Sequence, residues 1–141
     1  GLAFLTHHEG LRLSRYKDAG GKWTIGYGHL INRGEDFYRI TIAEAKELLA
    51  LDIRVAEKAI NQLVLVPLTQ PQFDALVSLV YNIGQGAFMR STLLSYINTI
   101  DPILLPTACV FFIPFHYVNG KANNGLIKRR FDEAILWQGL Y

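Results

Sequence analysis

Glu9, Asp18 and Thr24 are the residues near the start of the chain whose types could do chemistry together. Glycoside cleavage needs such a set. One carboxylic acid protonates the leaving oxygen, and a second carboxylate activates water or traps the sugar. Whether the three can meet depends on what lies between them. Residues 2–10 read as a short helix with Leu2 and Leu5 on one face, His8 and Glu9 a turn further on, and Gly10 as the stop. Residues 15–18 read as a strand, 19–21 as a turn, and 22–28 as a returning strand that alternates large apolar or aromatic residues with small or polar ones. In that hairpin Asp18 and Thr24 lie near the turn and face each other. Glu9, ending the helix, looks down onto the pair. Glycines at 26 and 28 inside a strand point to a close approach by another backbone or a ligand, or to a bend.

The physics assigns the acid role to Glu9. The C-terminal end of a helix carries partial negative charge and disfavours a charged carboxylate, and a semi-buried position pushes the same way. Asp18, beside a polar turn and Lys17, is better placed to stay ionised. A guanidinium beside Glu9 would oppose this. Spacing alone is a weak signal. The ordinary alternative makes Glu9 a surface residue or the partner of a C-terminal arginine, and Asp18 a turn residue.

Longer elements must position these groups. Thr41 and Glu44 form a capping box, which predicts a helix to about Leu63. Ala45, Leu48, Leu49, Ala56, Ala59, Ile60 and Leu63 fit its buried stripe. At 1.5 Å per residue it spans on the order of 30 Å and can serve as a spine between two lobes. Pro67 ends that stretch, and residues 69–72 open the next helix in the same capping form. Phe73, Leu76, Val77, Val80 and Tyr81 line its buried face, and residues 82–86 close it. A helix follows over about 91–98. The last runs from about 124 to 138, with Ile127, Phe131, Ala134 and Ile135 inward. The fold class is α+β: a hairpin lobe over about 12–40 and a helical lobe over about 64–141 plus residues 1–11, forming one domain over 1–141.

Composition excludes several classes. The 141 residues are 50% hydrophobic and 18% charged, which argues against disorder. A net charge of +2 is too small to argue for nucleic acid. Cys109 is the single cysteine, so no internal disulfide, cysteine-based zinc cage or iron–sulfur cluster can be built. His7 and His8 are adjacent and point apart on a helix, so they make no metal pair. No stretch reaches the ~18 apolar residues of a membrane span. A first residue that is Gly1 rather than Met reads as a processed or trimmed product, from which a signal segment could be missing.

The wider string around the three residues is specific. Glu9-Gly10, Leu13, Tyr16, Asp18, Gly21 and Thr24-Ile25-Gly26 with Gly28-His29 meet every fixed position of E-G-x-x-L-x-x-Y-x-D-x-x-G-x-x-T-I-G-x-G-H. This segment closely resembles the active-site segment of phage-type lysozymes (endolysins), glycoside hydrolase family 24. Pro67-Leu68-Thr69-Gln70, Phe73-Asp74-Ala75-Leu76, Asn82-Ile83-Gly84, Ser91-Thr92-Leu93-Leu94, and residues 125–130 with Glu133 extend the likeness. They resemble the lambdoid members more than the T4 enzyme. The resemblance implies a lysozyme-like fold and a muramidase that cuts the β-1,4 bond from N-acetylmuramic acid to N-acetylglucosamine during phage-induced host lysis. It implies Glu9 as catalytic acid, Asp18 as second carboxylate, and Thr24 as the hydroxyl that places the attacking water. It also implies inversion, with the carboxylates about 6.5–9.5 Å apart. Tyr81 and Asn82 match a loop that can touch sugar. His29 reads as a structural histidine tied to a carboxylate or carbonyl. Of Arg129 and Arg130, one can support Glu9 and the other be solvated. No metal or organic cofactor is implied. The implied partner is the glycan strand of peptidoglycan, met in the periplasm by a monomer made in the host cytoplasm.

Residues 102–115 depart from the family, whose members carry an amphipathic helix there with charges outside and a Trp near Phe115. Residues 102–120 hold no Asp, Glu, Lys or Arg but do hold Pro102, Pro106 and Pro114, which argue against one continuous helix. The plainer reading is a repacked, loop-broken stretch of core. The sharper one is an exposed apolar patch that meets a membrane transiently or another chain. Trp23 and Trp137 read as packing residues rather than sugar platforms. Rival functions are a binding module that holds peptidoglycan uncut, a lytic transglycosylase, and a structural protein of the phage particle.

Overall fold

The computed structural model describes residues 2–141. The reading of Gly1 as a processed start lies outside the described residues. By contact the chain forms two units, Leu2–Arg54 and Val55–Tyr141. The sequence reading placed residues 1–11 with the helical part, whereas contact groups the first helix with the sheet.

In the first unit, α1 (Leu2–Glu9) stops where Gly10 turns to φ +64°. Its buried side chains are Phe4 and Leu5, and Leu2 is exposed rather than facing inward with Leu5. Strands β1 (Arg12–Lys17), β2 (Trp23–Gly26) and β3 (His29–Leu30) make an antiparallel sheet in that order. Tyr16 pairs with Thr24 and Lys17 with Trp23, and a bulge separates this register from the Arg12–Gly26 pair. The third strand was not expected. The alternation over 22–28 breaks because Gly26 and Gly28, at φ +67° and +94°, reverse the chain into β3. Ile25, Ile40, Ala45 and Leu48 form the core, with Leu13, Tyr27, Ile31 and Phe37 packed against it.

Helix α2 (Ile42–Leu63) starts at the expected box. Thr41 N donates to Glu44 Oε2 at 2.7 Å, and Glu44 N donates to Thr41 Oγ1 at 3.2 Å. Both bonds satisfy amides that a bare helix start leaves open, and the Thr41 N–H, ahead of the Thr41 side chain, holds the exposed Glu44 carboxyl below its ordinary range. The predicted stripe from Ala45 to Ile60 is buried.

The second unit holds α3 (Gln70–Ile83), α4 (Gln85–Met89), α5 (Thr92–Thr99), a 3₁₀ helix (Pro102–Phe112), the hairpin β4 (Tyr117–Val118) and β5 (Lys121–Ala122), and α6 (Asn124–Trp137). Thr69 and Gln72 complete the expected capping box on α3, and Ser91 caps α5. Two expectations are corrected here. Residues 102–112 are helical throughout, not loop-broken. Pro102 sits in the first turn, where its missing N–H costs nothing, and the tighter 3₁₀ geometry carries Pro106. Leu105, Ala108 and Phe112 point inward while Ile103, Leu104 and Val110 are exposed, so core and apolar surface coexist on one element. On α6, Phe131 and Ile135 are exposed instead of inward. The buried face holds Arg129, Arg130, Glu133 and Trp137.

Candidate active site

Asp18 belongs to the tight turn that closes β1 onto β2. Its N–H donates to Lys22 O and its carbonyl accepts from Gly21 N, both at 2.9 Å. Lys22 N donates to its Oδ1 at 2.8 Å. One carboxylate oxygen is thus pinned by backbone, which fixes where Oδ2 points. Thr24 is buried, and its hydroxyl donates to Lys22 O at 3.0 Å. That spends the proton and leaves the oxygen lone pairs to accept. Lys22 is therefore the shared backbone anchor of both polar groups.

Glu9 is the last residue of α1 and is half-buried. Burial raises the Tyr16 phenol above its ordinary value. The Arg12 cation counters this, and the Glu9 and Asp18 carboxylates both add to the rise. Tyr16 pairs across the sheet with Thr24. Arg12 also lies 4.4 Å from the Tyr16 ring centroid. The sequence reading did not single out Tyr16 as a site residue. Its place two residues before Asp18, near the end of β1, was the available signal.

His29 is tied to carboxylates as expected. Its Nδ1 lies 2.7 Å from Asp52 Oδ2 on α2, and its Nε2 lies 3.1 Å from Glu35 Oε2. The Asp52 hydrogen bond is the main reason its imidazole is raised above its ordinary value, against the opposing effect of burial. Glu35 is held low first by the backbone N–H of Asn32, at 2.7 Å.

Tyr81 and Asn82 belong to the other unit. Tyr81 is half-buried, and Asn82 Oδ1 accepts from Arg130 Nη1 at 2.9 Å. Neither arginine is solvated, which corrects the expectation for one of them. Arg129 donates to Glu133 Oε1 at 3.1 Å and to Ser78 O at 3.1 Å. Arg130 Nε lies 2.7 Å from Glu133 Oε2, and its Nη2 donates to Oε1 at 2.8 Å. Ser78 Oγ donates to the same Oε1 at 2.6 Å. One fully buried carboxylate thus serves two guanidinium groups and a hydroxyl. Sequence reasoning noted Glu133 only as part of a motif. Trp137 is buried and edge-on to Phe112 at 5.6 Å, whereas Trp23 is 44% exposed and does not pack inward. Among the described residues no group of three or more His, Cys, Asp or Glu could hold a metal ion.

Glu9 thus ends a helix in the same unit as a hairpin that carries Asp18 in its turn and Thr24 on its returning strand. Residues 6–133 match the family model described as phage lysozyme. The endolysin of Acyrthosiphon pisum secondary endosymbiont phage 1 is 42% identical over 98% of this chain and 94% of its own length. The endolysin of Salmonella phage P22 is 44% identical over 70% of each. The solved muramidase domain of SpmX from Asticaccaulis excentricus superposes with a TM-score of 0.80 at 35% identity, covering 96% of this chain and 92% of that one. The chain belongs to the phage lysozyme family and is a glycoside hydrolase.

Proposed function

We propose that the protein is a muramidase that hydrolyses the β-1,4 bond between N-acetylmuramic acid and N-acetylglucosamine with inversion, and that Glu9, Asp18 and Thr24 carry the reaction. Glu9 protonates the departing glycosidic oxygen. A water donates one hydrogen bond to Thr24 Oγ1 and its reacting proton to Asp18 Oδ2, then attacks the anomeric carbon from the opposite face. What supports this reading is the phage lysozyme match over residues 6–133 together with one backbone anchor, Lys22, that holds both Asp18 Oδ1 and Thr24 Oγ1. Room for that water requires a carboxylate separation of about 6.5–9.5 Å. Tyr81 and Asn82 contact sugar, and His29, Arg129 and Arg130 support the scaffold. The enzyme acts as a monomer on peptidoglycan strands in the periplasm during phage-induced lysis, after synthesis in the host cytoplasm. The exposed Ile103, Leu104 and Val110 support a transient membrane contact through residues 102–115. No described helix is long and apolar enough to cross a membrane.

Turbidity loss of chloroform-treated Gram-negative cells, with mass spectrometry of the released muropeptides, tests this. Wild type clears the suspension and leaves hydrated ends. Glu9→Gln and Asp18→Asn lose activity by about 10²-fold or more while melting as wild type does. Ends lighter by one water would make the protein a transglycosylase, and an active Asp18→Asn would remove Asp18 from the water-activating role.

A further inference from the structure

The sheet carries a second polar cluster that the reaction does not use. Lys17 pairs with Trp23 across β1 and β2, so these two side chains share a face, and the neighbouring Tyr16–Thr24 pair occupies the opposite one. Arg15 lies 4.8 Å from the Trp23 ring centroid and 4.8 Å from that of Tyr38. Lys17 Nζ lies 5.3 Å from the Trp23 ring. Tyr38 is fixed beside the strand, since its carbonyl accepts from Arg15 N at 3.0 Å. Trp23 and Tyr38 are 44% and 69% exposed. Among the described residues neither Arg15 nor Lys17 has a carboxylate partner, and neither spends a side-chain N–H on the protein.

Two rings that hold a guanidinium restrict its rotamers before any ligand arrives, so less freedom is lost when it grips a planar anion. The free N–H groups of Arg15 match a carboxylate bidentately, and Lys17 adds a point charge one strand alternation away.

We propose that Arg15 and Lys17, braced by Trp23 and Tyr38, form a second peptidoglycan-binding surface that takes the free carboxylates of the stem peptides. The proposal rests on the muramidase reading, because the polymer being cut supplies the carboxylates. A membrane fits less well. Two cations raise partitioning onto an anionic bilayer only about fivefold each, and rings committed to Arg15 are not free to insert. A carboxylate on the polymer already in the active site is different. The second contact is then intramolecular at an effective concentration in the millimolar range, so a weak site still counts.

The test uses purified Gram-negative sacculi, native or with their carboxylates amidated, and vesicles of phosphatidylcholine and phosphatidylglycerol at 3:1. Binding is measured by co-sedimentation in a Glu9→Gln background, so it does not depend on turnover. Fluorescence follows Trp23, because Trp137 is buried. Adding Arg15→Gln with Lys17→Gln weakens binding to native sacculi about tenfold. Amidation weakens the parent by the same factor and leaves the charge variant unchanged. With Glu9 intact, the charge variant raises KM and leaves kcat as it was. Equal binding of both proteins to native sacculi, or an equal loss for both on amidation, overturns the proposal. Charge-dependent binding to vesicles alone replaces it with a membrane-facing role. Loss of hydrolytic product from wild type on both sacculus preparations would instead sink the muramidase reading and leave the binding result standing.

Discussion

Gly20 shows how tightly the Asp18 carboxylate is held. A Cβ there would lie 3.3 Å from Asp18 Oδ1, the oxygen already bonded to Lys22 N. Gly20 is exposed and has no left-handed backbone to defend. Gly20→Ala should therefore leave stability within about 0.5 kcal/mol, as for an ordinary surface change. It should still displace the carboxylate by a few tenths of an ångström and cost about tenfold in kcat with little change in KM. Steady-state release of reducing ends beside a thermal melt checks both parts, and an unchanged kcat would show that Asp18 placement is not limiting. At this scale the hairpin carrying Asp18 and Thr24 was legible because turn chemistry and strand alternation are local, but its register was not: Thr24 stands opposite Tyr16, and Asp18 opposite Lys22, rather than facing each other. Glu133 was not legible either. Three charged residues so close on one helix give no local sign of burial, and only packing against Ser78 and Phe115 reveals that Arg129, Arg130 and Glu133 are buried. Their mutual satisfaction is what lets the face be polar, and it leaves the apolar Phe131 and Ile135 outside.

Elements announce themselves when their ends carry side-chain chemistry. The boxes at Thr41 and Thr69 fixed two helix starts, and Ser91 a third. Asn119-Gly120 is the same kind of signal for the β4–β5 hairpin. Both residues take positive φ, 50° and 74°, as a two-residue turn between short strands demands, yet the sequence reading passed over it. The 3₁₀ helix was misjudged because three prolines argue against an α-helix and say less about a tighter one. Gly26 ties sheet to helix. It sits at φ +67°, and a Cβ there would meet Ala45 Cβ and Ile40 Cδ1 at 3.4 Å. The expected close approach is thus the start of α2 rather than a ligand. Gly26→Ala combines left-handed backbone strain with that contact and should destabilise by about 1–2 kcal/mol. The urea midpoint should fall accordingly at constant slope. A midpoint equal to wild type would mean that the strand can shift without cost.

For the molecule as a whole, the His29 cluster sets a pH window for stability. It joins β3 through His29, the following loop through Glu35 and α2 through Asp52. His29 is raised above its ordinary 6.5, so the unfolded chain gives up that proton first as pH rises. The stabilisation from charged His29 is complete below about pH 6.5 and disappears as pH climbs through the folded value. Glu35 is lowered from its ordinary 4.5, so its contribution is complete above about pH 4.5 and is lost as pH falls through the folded value. The two limbs overlap between about pH 4.5 and 6.5, where the cluster should stabilise most. Many other groups titrate along the chain, so the informative quantity is the difference between wild type and His29→Gln measured side by side. That difference in melting temperature should be largest inside the window and shrink above pH 6.5, because the neutral imidazole keeps its hydrogen bonds to Asp52 and Glu35 only in part. It should also narrow in high salt less than an exposed pair would, since the His29 side chain is only 7% exposed. A difference independent of pH from 4.5 to 9 would mean that His29 serves the fold by packing against Phe37, 6.0 Å away edge-on, rather than by its charge.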